Sequence, residues 1–196
     1  MHPRTIIFYG RSGSGKSTQL ALLRAALKEK DPERSIFYIQ TGDEFRKFIE
    51  EDSYTSKLAQ EIANTGGLQP AFLPIWIWTG ILVKNMTGNE HVFFDGLVRR
   101  YPEALVFDSA VQFYKWEKPD VVNITVSQAW AVKRLMERGR HDDTASGISK
   151  RLDWFDTEVI PAIEYFRKNE YYNFIDINGE QTIEKVFEDI KTALAF

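Results

Sequence analysis

A single α/β domain, with a five-stranded parallel sheet covered by helices on both faces in three layers, is the fold class this sequence predicts. Three observations predict it. Five short apolar runs rich in Ile, Val, Phe and Tyr recur along the chain, segments of helical period separate them, and 196 residues suit one domain with a substantial core.

Taken in order, Ile6-Ile7-Phe8-Tyr9 reads as a buried strand, and Gln19 to Lys28 as the helix that follows it. Asp31-Pro32-Glu33-Arg34 is a turn, and Ser35 to Gln40 is the second strand. Next comes a helix carrying Phe45, Phe48 and Ile49, with Thr41 or Asp43 expected to cap it. A short helix from about Lys57 to Ala63 stops at Gly66-Gly67. Leu68-Gln69-Pro70 then opens an aromatic-rich helix with Pro74 near its start, whose cluster Phe72, Trp76, Trp78 reads as internal packing. His91 to Gly96 is the third strand, and Asp120 to Val126 the fourth, followed by a helix from about Gln128 to Glu137. The polar stretch Arg138 to Asp143 is expected to be exposed. Ile148 to Lys168 reads as one long helix kinked at Pro161, Asn173 to Ile177 as the fifth strand, and Ile183 to Ala195 as the closing helix.

Chemistry concentrates between the first strand and the first helix. Gly10-Arg11-Ser12-Gly13-Ser14-Gly15-Lys16-Ser17-Thr18 reads G-x-x-x-x-G-K-S, and strand, glycine loop, helix is the context that this phosphate-binding pattern requires. Glycines at 10, 13 and 15 let the backbone curl so that successive N–H groups face phosphate oxygens at a helix N-terminus. Lys16 is placed to reach the β- and γ-phosphates, and the Ser17 hydroxyl to hold Mg²⁺. Asp95, at the carboxyl end of an apolar strand, supplies a second handle on Mg²⁺ through water. The chain therefore reads as a P-loop protein that binds a nucleoside triphosphate.

Composition narrows the classes. A net charge of −3 argues against a broad nucleic-acid footprint. The chain has no cysteine, which excludes disulfides and a thiolate zinc site. No apolar run approaches the ~18 residues of a membrane span, and Met1-His2-Pro3-Arg4 leads into the first strand without a signal peptide. The expectation is a cytoplasmic monomer without membrane or nucleic-acid partners.

A donor site alone leaves the acceptor unnamed. Moving a phosphoryl group between polyanions calls for several cations, because the transition state spreads negative charge over its equatorial oxygens. Arg46 follows strand two, Arg99 and Arg100 follow strand three, and Arg134, Arg138, Arg140 and Arg151 border the polar segment after strand four, a placement that fits a two-phosphate site.

With these motifs the chain resembles the adenylate kinase family of nucleoside monophosphate kinases over nearly its whole length. Thr41-Gly42-Asp43-Glu44-Phe45-Arg46 is similar to the family's T-G-D-x-x-R, Gly67-Leu68-Gln69-Pro70 to its G-x-L-V-P, and Asp95-Gly96-Leu97-Val98-Arg99 to its D-G-F-P-R. Arg134-Leu135-Met136-Glu137-Arg138, Arg140-His141-Asp142-Asp143 and Arg151-Leu152 complete the match. The resemblance implies reversible transfer of the ATP γ-phosphoryl group to AMP, giving two ADP. It implies a P-loop NTPase fold with an acceptor-binding insertion at about 41–70 and a short lid at about 138–147. Arg46 and Arg99 would grip the acceptor's phosphate, Thr41 would face its base, and Gly42, Gln69 and Gly96 would belong to the same site. The P-loop, Ser12, Ser14 and Thr18 included, would hold ATP, with Arg134 against the adenine. Arg138, Arg140 and Arg151 would close on the transferring phosphates, held in place by Asp142 and Asp143 through ion pairing.

Departures carry information too. Glu103 stands where the family commonly has a Gln that reads the edge of adenine, and an ionised carboxylate only accepts hydrogen bonds. Arg138 and Arg140 are separated only by Gly139, so the lid is of the short type, and zinc is not implied. A UMP/CMP-type kinase shares most of these motifs. A non-catalytic nucleotide-binding regulatory module would keep the pocket but lack Lys16 or part of the arginine set.

Overall fold

The computed structural model describes residues 1–139 and 144–196. Strands β1 (Thr5–Tyr9), β2 (Ile36–Gln40), β3 (His91–Asp95), β4 (Asp120–Thr125) and β5 (Asn173–Asn178) form one parallel sheet in the order β2-β3-β1-β4-β5. Every residue of β1 and β3 is buried, as expected of central strands covered on both faces. Alternation along the strands divides the interior in two. Ile7, Tyr9, Val92, Phe94 and Val121 point to a core that contains Trp78, Phe107 and Phe166. Ile6, Phe8, Phe93, Val122 and Ile124 point the other way, onto Leu20, Leu23, Leu27, Val186 and Ile190. The sheet thus has the expected number, direction and covering of strands.

Helix α1 (Lys16–Lys30) begins three residues ahead of the expected Gln19, so Lys16 and Ser17 lie in its first turn. Helix α2 (Thr41–Ile49) corrects the expected capping. β2 runs into it with no intervening turn, Gln40 stands at the cap without a side-chain bond, and the Thr41 hydroxyl is buried without a partner. Helix α3 (Tyr54–Asn64) starts earlier than expected because Ser53 forms a capping box with Ser56. It ends where Gly66, at φ 71°, and Gly67 donate to the carbonyls of Ala63 and Ile62. Helix α4 (Phe72–Asn85) forms as expected, and Trp78 is core. Phe72 and Trp76 are 63% and 59% exposed, which corrects the reading of that cluster as wholly internal, although Trp76 sets an edge 5.5 Å from Phe48.

Helix α5 (Tyr101–Phe113), absent from the expected elements, connects β3 to β4 and buries Glu103, Ala104, Phe107 and Val111. Helix α6 (Gln128–Arg138) is capped by Ser127 and stopped by Gly139 in the left-handed region. Helix α7 (Ala145–Trp154) passes through a π-helical turn, Phe155–Val159, into helix α8 (Ile160–Lys168). The expected kink at Pro161 is therefore a wide turn placed just before it. Proline has no N–H to return to the preceding turn, and a π turn absorbs that missing bond. Helix α9 (Ile183–Ala193), capped by Thr182, closes the chain. Among the described residues no helix is long and apolar enough to cross a membrane.

Candidate active site

The loop from Gly10 to Gly15 is threaded between β4 and α6. At Gly10, φ is 142° and a Cβ would stand 2.5 Å from the Ile124 carbonyl oxygen. At Gly13 it would stand 2.8 Å from the Ala131 carbonyl oxygen. Only glycine fits either place. Ser14 N–H closes the loop onto the Arg11 carbonyl at 3.1 Å, its own hydroxyl buried without a partner, while Ser12 is half-buried and Thr18 exposed. Arg11 pairs with Asp156 of the π turn at 2.5 Å and lies 4.8 Å over the Phe155 ring. Gln128 of α6 donates to the other Asp156 oxygen at 3.0 Å.

Lys16 Nζ donates to the Gly10 and Arg11 carbonyls at 2.7 and 3.0 Å. Burial pushes its ammonium down to about 8, with Asp95 opposing and the cations Arg99 and Arg138 adding to the depression. Beside it the Ser17 hydroxyl donates to Asp95 Oδ2 at 2.7 Å, and the Tyr38 hydroxyl donates to the same oxygen at 3.0 Å. Asp95 is 4% exposed, and the cations Lys16 and Arg99 are near enough to bear on it. One carboxylate and one hydroxyl make a sparse set of hard oxygen donors. That suits Mg²⁺, which keeps waters and phosphate oxygens in most of its positions.

Beyond the carboxyl end of β3 lies the second group. Arg99 donates through Nε to the Gly96 carbonyl at 3.1 Å, and its backbone N–H donates to Glu103 Oε2 at 3.2 Å. Burial lowers the Arg99 affinity for its proton; Glu103 and Asp95 oppose this, and Arg46 and Arg151 add to it. Glu103, 1% exposed on the first turn of α5, is pushed up to about 7 by burial, against the Arg99 N–H and guanidinium. Val98, buried at φ 56°, has its carbonyl fixed by the Tyr9 hydroxyl at 2.8 Å. Arg46 folds back over Gly42 and pairs with Asp43, half in solvent. Gln69 spends its amide N–H on the Ala59 carbonyl at 2.9 Å, with its carbonyl oxygen buried and unpartnered.

On the third side, Arg138 ends α6 and is exposed, while Arg134 lies 5.7 Å over the Trp130 ring. Arg151 donates from Nε to the Gly147 carbonyl at 3.2 Å. Arg140, Asp142 and Asp143 lie outside the described residues. Lys16, Ser17, Asp95, Arg99 and Arg138 thus converge, with Arg46 and Arg151 near enough to bear on Arg99, whereas Gln69, in the loop before α4, is engaged by Ala59 of α3. Sequence reasoning missed Tyr38, Asp156 and Trp154. The first two carry no local signal. Trp154 stands three residues beyond Arg151 on α7, a spacing that places both on one helix face.

A model of the family described as adenylate kinase matches residues 8–171. The adenylate kinase of Azobacteroides pseudotrichonymphae genomovar. CFP2 is 31% identical, over 93% of this chain and 92% of that protein. That of Parabacteroides distasonis is 29% identical over 96% of each. That of Corynebacterium urealyticum is 30% identical over 96% of this chain and 98% of the other. The matched span runs from β1 to just past α8, and so contains every residue of the three groups above.

Proposed function

Because the chain belongs to the adenylate kinase family and is a nucleoside monophosphate kinase moving a phosphoryl group between ATP and AMP, we propose that the converging groups divide this work among named residues. The P-loop from Gly10 to Thr18 binds the triphosphate, with Lys16 on the β- and γ-phosphates. Arg134 borders the donor base. Arg46 and Arg99 grip the acceptor phosphate, and Thr41, Gly42, Gln69, Gly96 and Glu103 line the acceptor's nucleoside. Arg138 and Arg151, with Arg140, close on the transferring group, and Asp142 and Asp143 hold that closure. The acceptor arm is residues 41–70 and the lid residues 138–147.

The observation that carries this reading is the meeting of Lys16 and the Ser17–Asp95 pair, at the carboxyl ends of the central strands β1 and β3, with Arg99 and Arg138. In-line transfer from ATP to AMP breaks the bond between the γ-phosphorus and the β,γ-bridging oxygen, and forms one to an AMP phosphate oxygen. That oxygen is already ionised near neutral pH, the second phosphate pKa being about 6, so no general base is required. Catalysis is then a matter of position and charge. Lys16 follows the γ-phosphoryl group, and the arginines meet the negative charge that spreads over it. Ser17 and Asp95, the latter through water, would hold Mg²⁺, which when bound neutralises phosphate charge. A monomer working in the cytoplasm completes the proposal.

The test is ADP formation from Mg²⁺-ATP with AMP, CMP, UMP, GMP or dTMP as acceptor, against a control without acceptor and against Lys16→Met. AMP-dependent turnover that Lys16→Met loses is the expected result. Equal turnover in Lys16→Met removes the role given to Lys16, and preference for another acceptor removes the base assignment.

A further inference from the structure

Trp154 touches two parts of the cleft at once. Its ring N–H donates to the carbonyl of Gly66 at 3.1 Å, at the turn that ends α3. Its ring face lies 5.5 Å from the Arg99 guanidinium. The approach at Gly66 is close: a Cβ there would stand 3.4 Å from the Gly147 Cα of α7, and φ at Gly66 is 71°. Trp154 is half-buried, and it is the last residue of α7 before the π turn.

The consequence for Arg99 is geometric. Nε is committed to the Gly96 carbonyl, the guanidinium carbon lies over the Trp154 ring, and among the described residues neither Nη has a hydrogen-bond partner. A guanidinium tied at Nε and covered by an aromatic ring has fewer orientations open to it, and its outer N–H groups are left to donate to a phosphate in two-toothed fashion. Lateral slack is reduced before the ligand arrives, so less side-chain freedom is lost when it binds. The bond to Gly66 acts at the other end of the same indole, fixing the acceptor arm against α7 at the distance that Arg99 serves.

We propose that Trp154 is a positioning residue of the acceptor site, its ring face orienting Arg99 and its ring N–H tying the acceptor arm to α7. The proposal rests on the acceptor reading of Arg99. Its reach is therefore specific. It acts on acceptor binding, through Arg99 and the turn at Gly66, and among the described residues Trp154 itself makes no hydrogen bond to the P-loop. A ring that merely filled space would alter stability without separating the two substrates.

The experiment is steady-state kinetics with each substrate varied in turn, for wild type, Trp154→Phe, Trp154→Leu, Arg99→Ala and the Trp154→Leu/Arg99→Ala double variant, alongside thermal melts. Trp154→Leu, losing face and N–H, is expected to raise KM for AMP about tenfold, and Trp154→Phe, keeping a face, about threefold, with KM for ATP within about twofold in both. The double variant is expected to exceed Arg99→Ala by less than the full effect of Trp154→Leu, because the share carried by the ring face acts through that arginine and only the Gly66 tie is left to add. A raised KM in Arg99→Ala beside an unchanged one in Trp154→Leu, or single effects that multiply in the double variant, overturns the role of Trp154 alone. An unchanged KM for AMP in Arg99→Ala overturns the acceptor reading and this proposal with it. Should Trp154→Leu fail to melt cooperatively, Trp154→Phe decides, and a KM for AMP equal to wild type overturns the proposal.

Discussion

Glu103 is the residue at which burial and charge pull hardest against each other. Its carboxyl is pushed up to about 7 from the ordinary 4.5, mainly by burial, while the Arg99 N–H and guanidinium favour ionisation without overcoming it. Between those two values the folded protein holds a proton that the unfolded chain has released. Stability therefore falls as pH rises from about 4.5 to about 7 and levels off above. The full span corresponds to a penalty on the order of 3 kcal/mol. Glu103→Gln removes the titration. The expected result is a variant whose advantage over wild type in urea unfolding grows between pH 5 and pH 8; an advantage constant across that range would show that Glu103 ionises normally. The same reasoning shows what a single residue discloses in sequence. Glu103 could be picked out by its place after the Asp95-Gly96 motif. Its proton affinity could not, because that follows from the packing of α5, an element the sequence did not announce. Tyr38 was silent for a related reason: Asp95, its partner, lies far from it along the chain.

Among the elements, the π turn at Phe155–Val159 does more than absorb Pro161. Its first two residues, Phe155 and Asp156, hold Arg11 of the P-loop from the ring face and from the carboxylate. Asp156 also receives Gln128 from the start of α6, so one side chain joins the P-loop, α6 and the α7–α8 junction. Asp156→Ala should loosen the loop that holds ATP. For a partly exposed ion pair of about 1 kcal/mol the expected change is a roughly fivefold rise in KM for ATP, with KM for AMP unchanged. Equal values for both substrates in wild type and variant would leave Asp156 as surface structure. The glycine loop itself was fully legible, since its geometry demands glycine at fixed positions within a few residues and the flanking strand and helix confirm it. α5 was not. Its start at Arg100 offers no capping side chain, and the exposed Leu105 and Phe113 blur the helical spacing of Ala104, Phe107 and Val111.

At the scale of the whole molecule, the nucleotide cleft draws on elements that meet only in the native fold. Lys16 and Ser17 come from α1, Asp95 from β3, Arg99 from the loop before α5, and Arg138 and Arg151 from α6 and α7. A ligand of that cleft binds the native state and not the unfolded chain. At a hundred times its Kd, ATP should therefore add about 2.7 kcal/mol, which in a chain of this size raises the thermal midpoint by about 5–11 °C. A midpoint indifferent to ATP would contradict binding at the P-loop. The sheet order carries a further consequence, in the time domain. Residue 5 pairs with residue 92 and residue 6 with residue 120, and Gly10 takes its final place only against the carbonyl of Ile124. Contacts so distant along the chain form late, both in refolding and during synthesis. A ribosome that has released the glycine loop must still deliver β4 before that loop can be set, so a nascent chain acquires its nucleotide pocket only after well over half of it has emerged.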